Sequence, residues 1–115
     1  GYERVEPAIL TEGMKALDDL QFQMMTPWDG ARHDAITAGL ALEHLRAHKP
    51  KLLMISLDET DDWAHARRYD RVIHAMGVFD KLMRDLREAI ESMDEYRGRT
   101  TIVVATDHGR GITPE

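Results

Sequence analysis

The chain has 115 residues, 43% apolar and 31% charged, with a formal net charge of −6 and no cysteine. That length holds at most one domain with a modest core, and the composition is that of an ordered globular chain rather than a disordered one. The acidic balance argues against nonspecific nucleic-acid binding, which needs a basic face. No apolar run approaches the ~20 residues of a membrane span, and the missing thiols exclude disulfides and thiolate metal sites.

The first 27 residues carry the weakest pattern. "YERV" reads as an edge strand or a disordered end, and Thr11 opens a short helix bearing Leu17, Leu20 and Met24. "PWDGARHDAITAGLALEHLRAHKP" predicts a second helix. Asp29 is its candidate N-cap, Ile36, Leu40, Leu42 and Leu45 are its apolar line, and Pro50 is its stop. "KLLMISL" (51–57) follows, an apolar run whose length suits a strand buried on both faces. A long amphipathic helix is expected from about 66 to 96, with Tyr69, Val72, Met76, Phe79, Leu86 and Ile90 among its apolar positions. Gly98 stands where a helix C-terminal glycine belongs, and "TTIVVAT" reads as a second buried strand.

Strand, helix, strand predicts a parallel βαβ unit with a right-handed crossover over 51–108, preceded by a helical stretch over 1–49. The expected fold class is therefore α/β, a fragment of a three-layer α/β/α sandwich with parallel strands. Two strands alone leave open edges, which would invite self-association.

In parallel sheets, ligands bind beyond the carboxyl ends of the strands. The first predicted strand is followed there by "DETDDWAH" (58–65), the second by Asp107 and His108. Carboxylate oxygen and imidazole nitrogen suit Zn²⁺, and also Mn²⁺ or Fe²⁺. Asp61 and His65 are four apart, a spacing that works with Asp61 in a turn and His65 in the first turn of the long helix. Asp107 and His108 are neighbours whose side chains diverge unless the chain bends, which Gly109 permits. Two ions clamped in this way would grip a phosphoryl or sulfuryl centre. Each motif taken singly also reads as a helix cap or an Asp turn. Their conjunction at the ends of two successive strands argues for a site.

The pattern Glu59-Thr-Asp61-Asp-Trp-Ala-His65, then Thr106-Asp107-His108-Gly109, resembles the alkaline phosphatase superfamily, in its phosphodiesterase/nucleotide pyrophosphatase or sulfatase-like branch. The likeness spans roughly 51–111. It implies a metal-dependent hydrolase of small phosphate or sulfate esters using two divalent ions, zinc first and manganese as the alternative. Asp61 and His65 would hold one ion, and Asp107 and His108 would belong to the shell of the second. The resemblance also expects a further Asp and a nucleophile upstream of residue 1, and another His downstream of Glu115. The chain is thus expected to be a fragment, inactive alone. The compartment stays open, and a periplasmic or secreted full-length protein fits.

Other residues weigh less. Arg110 could reach an anionic substrate, or be a surface arginine. His44 and His48 share a helix face but lack the Glu of the zinc-protease motif, and near a helix end they read as structural. His33 has no evident partner. Trp63 is a pocket wall or a packing residue, and Arg67 and Arg68 are expected to pair with Asp61 or Asp62. The rival reading is a non-catalytic α/β interaction or signalling module whose acidic turns bind one Mg²⁺ or nothing.

Overall fold

A computed structural model describes residues 4–26, 28 and 30–109. Their regular elements are a 3-10 turn (Pro7–Ile9) and the helices α1 (Glu12–Gln21), α2 (Asp34–His48), α3 (Glu59–His65) and α4 (Tyr69–Ser92). "YERV" is described only from Arg4, and Asp29 lies outside the described residues.

Thr11 starts α1, its side-chain oxygen accepting from the Met14 amide at 3.1 Å. This satisfies one of the amides that a helix start leaves unpaired. Helix α1 then lies against α2, which is packed on two sides. Ile36 and Leu40 join Met14 and the half-buried Leu17 in one cluster. Ala38, Leu42 and Leu45 join Leu82, Ala89 and Ile90 of α4 in a second. Each fully buried Leu or Ile contributes about 1.5–3 kcal/mol. The close approach of α1 depends on Gly39, where a Cβ would stand 2.9 Å from a methyl of Leu17.

Helix α2 ends at His48, directly before Lys49 and Pro50. Lys49 takes a left-handed conformation (φ 49°), and its amide bonds the Leu45 carbonyl at 3.1 Å. Proline cannot continue the helix, and the left-handed cap turns the chain away. Past α4, the Tyr96 hydroxyl donates to the Pro50 carbonyl at 2.7 Å and ties the two turns together.

The α/β expectation is overturned. Among the described residues the chain is all-helical, with no strand or sheet, so there is neither a parallel pair nor a βαβ crossover. Segment 51–57 still has the side-chain alternation of an extended chain. Leu53, Ile55 and Leu57 pack on the α2–α4 core, while Leu52 and Met54 are 87% and 88% exposed. Residues 101–106 are exposed throughout. Both segments line one open groove of about 1840 Å³ beside α4, and no backbone ladder joins them. An apolar run specifies local extension and burial, whereas a strand also needs a neighbouring backbone about 4.8 Å away. Without a ladder there is no strand edge, and self-association through such edges loses its support.

The long helix starts at Tyr69 rather than about 66, and His65 belongs to a separate short helix before it. Helix α3 closes at His65, where the Arg68 amide bonds the Trp63 carbonyl at 2.9 Å and the Arg67 amide bonds that of Ala64 at 3.0 Å. This is a Schellman end, with Arg67 in the left-handed position (φ 57°) usually given to glycine. A side chain there costs about 1 kcal/mol. At the other end α4 stops at Ser92, short of the expected 96. Gly98 (φ 68°) serves instead the turn in which the Arg99 amide bonds the Tyr96 carbonyl at 3.0 Å.

Candidate metal centre

Asp61 and His65 both lie on α3, one turn apart, so Asp61 is helical rather than in a turn. The 3.6-residue period puts positions four apart on one face. Asp61 Oδ2 stands 3.3 Å from His65 Nε2. The other carboxylate oxygen, Oδ1, faces a second imidazole, with His108 Nε2 at 4.0 Å. Asp107 Oδ2 is 3.4 Å from the same His108 nitrogen. The chain bends at this point, the Asp107 carboxylate accepting from the His108 amide at 2.9 Å while His108 Nδ1 lies 3.2 Å from the Gly109 carbonyl. Adjacent side chains that would diverge in a straight strand are thus brought to the same place.

Asp61 is the hub, with one carboxylate oxygen toward each imidazole. The group opens to solvent: the side chains of Asp61, His65 and His108 are 41%, 64% and 54% exposed. Among the described residues, no three ligand-type side chains already converge as a cage. The pair on α3 nonetheless has a fitting bite. Two ligands at 2.0–2.1 Å from a tetrahedral ion stand about 3.3 Å apart. His108 lies farther off, nearer the other carboxylate oxygen. Arg110, the candidate substrate contact, lies outside the described residues.

The acidic run that delivers Asp61 is crowded. Glu59, Asp61 and Asp62 occupy the first turn of α3, where a helix dipole favours negative charge. Partial burial, then repulsion from Asp58, Asp61 and Glu59, raises the Asp62 carboxyl above its usual range. The expected pairing of Arg68 with this run does not form. Arg68 binds Asp70 through two nitrogens, at 2.9 and 2.7 Å, which lowers the Asp70 carboxyl to about 2. Trp63 packs edge-to-face on Trp28, ring centroids 4.6 Å apart, and the Arg71 guanidinium lies 5.6 Å from its ring.

Sequence reasoning missed a second, buried cluster beneath the first. Asp34 is 2% exposed, and its carboxylate accepts from the Asp58 amide at 2.9 Å and the Glu59 amide at 3.3 Å. Glu59 reciprocates, accepting from the Asp34 amide at 3.2 Å, and His33 Nδ1 meets its carboxylate at 2.7 Å. Burial, only partly offset by the two amide bonds, raises the Asp34 carboxyl. Each helix is therefore capped by a carboxylate from the first turn of the other. The capping residues lie 25 positions apart, so no local motif announces them.

Two threonine hydroxyls serve structure. Thr11 caps α1 and Thr26 donates to the Trp28 carbonyl at 3.1 Å. His48 donates to the Ile9 carbonyl at 2.8 Å, and its ring lies 4.9 Å from that of His44.

Family comparison gives the class first: a hydrolase of the phosphodiesterase and pyrophosphatase type. Residues 3–114 match the family model described as type I phosphodiesterase / nucleotide pyrophosphatase. The chain belongs to that family, which is in the alkaline phosphatase superfamily. No significant match is found among curated proteins or among solved structures. The comparison supports phosphodiester and pyrophosphate bonds as the target and gives no support to sulfate esters.

Proposed function

We propose that residues 58–65 and 107–108 form part of the metal centre of a hydrolase acting on small-molecule phosphodiesters or pyrophosphates. The observation that carries this reading is Asp61 placed between two imidazoles, 3.3 Å from His65 and 4.0 Å from His108, in a chain of this family. Asp61 and His65 would hold one divalent ion, and His108 and Asp107 would serve a second. Oxygen and nitrogen donors without sulfur fit zinc or manganese.

Bound there, the ions would supply Lewis-acid polarisation of the phosphoryl oxygens and favour a deprotonated nucleophile. The chain's own residues do the holding. Helix α3 fixes the Asp61–His65 spacing, and the bend at Asp107 turns His108 toward Asp61. The half-exposed face leaves room for an anionic substrate to approach. The surrounding carboxylates would oppose that anion until cations neutralise them, so substrate affinity should follow metal loading. This reading assigns no nucleophile to residues 4–109.

Calorimetric titration with Zn²⁺ or Mn²⁺ tests the centre. Asp61→Asn is expected to weaken uptake by tenfold or more, in the range usual for loss of a metal-site partner. Unchanged uptake in that variant would remove Asp61 from the site. The activity is tested on the full-length protein with a diester such as bis(p-nitrophenyl) phosphate and either metal. No hydrolysis above background would defeat the enzyme reading.

A further inference from the structure

We infer that Asp34 and Glu59 are positioning residues for the Asp61–His65 pair, holding the start of α3 by capping each other's helices. The inference rests on the metal-centre reading above and adds to it two residues that touch neither His65 nor His108. The seven residues of α3 are too few to hold a helix in water unaided. Asp58, its N-cap, makes no side-chain cap of its own. The starting amides are satisfied from outside, by the Asp34 carboxylate on α2.

Two bonds lead from that carboxylate to the ligand pair. Asp34 Oδ1 holds the Asp58 amide at 2.9 Å. The Asp58 carbonyl in turn accepts from the amides of Asp61 and Asp62, at 3.0 and 3.1 Å. His65 is the last residue of the helix, so the 3.3 Å approach to Asp61 exists only while the whole turn is wound. Loss of the start unwinds the element that sets the spacing. Glu59 closes the clasp from the opposite side: its carboxylate binds the Asp34 amide at the start of α2 and is held by His33. Burial makes the arrangement specific, because a buried carboxylate without these donors would be strongly disfavoured. The clasp is out of solvent and the ligands are in it, so the rigid part and the working part are adjacent and chemically separate.

The test compares Asp34→Asn and Glu59→Gln with Leu17→Ala, a variant that thins the α1–α2 packing far from α3. The near-isosteric changes keep side-chain volume, so the chain should fold. Zn²⁺ affinity is read by competition with a chelator. In the metal-free chain, amide exchange over 58–65 and the ¹⁵N signals of the His65 ring are read by NMR. The inference expects faster exchange over 58–65, a shifted His65 signal and a Zn²⁺ affinity lower by about tenfold in both clasp variants, with none of these in Leu17→Ala. Wild-type affinity in the clasp variants, or equal loss in Leu17→Ala, would overturn it. Should the unaltered chain take up no zinc, the metal-centre reading fails separately. The His65 signal then decides this inference: a shift confined to the clasp variants supports it, and an unmoved signal overturns it.

Discussion

Two groups of acids and histidines meet at α3, one through Glu59 and the other through Asp61 and His65, and they differ in almost every physical respect. His33, Asp34 and Glu59 are tucked between helices, and each carboxylate is matched to backbone amides. Asp61, His65, Asp107 and His108 face water, with each imidazole within 4.0 Å of a carboxylate of the group. Residue type alone does not separate a structural cluster from a reactive one. The separation comes from whether the donors and acceptors are consumed by the fold. The buried group spends its lone pairs on the amides at two helix starts, whereas the exposed group is open to solvent and to whatever it carries.

The contrast can be broken most forcefully at its buried end. Glu59→Ala strips the cap from α2 and leaves His33 facing an empty space. It should cost about 3 kcal/mol in urea unfolding, as loss of one partner from a buried pair usually does. Asp34→Ala leaves the amides of Asp58 and Glu59 without acceptors and should cost about 2 kcal/mol in the same measurement. A loss below about 0.5 kcal/mol in either variant would mean that the clasp does not bear on stability.

The two groups should also differ in how they respond to pH. The Asp34 carboxyl is raised in the folded chain, so the fold binds its proton more tightly than the unfolded chain does. The stability contributed by that proton is fully present below the unfolded carboxylate value of about 3.9 and is lost as pH rises through the folded value. Relative to Asp34→Asn, the parent should therefore lose stability as pH climbs from about 4 toward neutrality. Thermal melts of both proteins across that window would show it, and a constant difference would place the carboxylate in a better-solvated setting. The smallest effect belongs to the exposed group. Asp61→Asn and His108→Ala should change unfolding stability by less than about 0.5 kcal/mol, as surface substitutions do. A larger loss would make those residues part of the scaffold.

Much of this was legible from the residues. The caps and stops around Thr11 and Pro50 are local chemistry, and so is the i, i+4 relation of Asp61 to His65. The resemblance found the right superfamily from two short motifs. The sheet was misread because "KLLMISL" and "TTIVVAT" carry the composition of buried strands, while pairing depends on a neighbour that composition cannot show. The break at residues 66–68 escaped because its pivot is Arg67 rather than glycine, so the usual punctuation is missing. The Asp34–Glu59 clasp was hidden for the opposite reason: each residue looks like an ordinary first-turn acid, and its partner stands a helix away.

The double-sided seating of α2 has a consequence for how the molecule comes apart. That helix is the party wall between two apolar rooms, one shared with α1 and the other with α4. Neither room stays closed when the wall is lost, so heat should empty both in a single step, although the chain has two distinct clusters to melt.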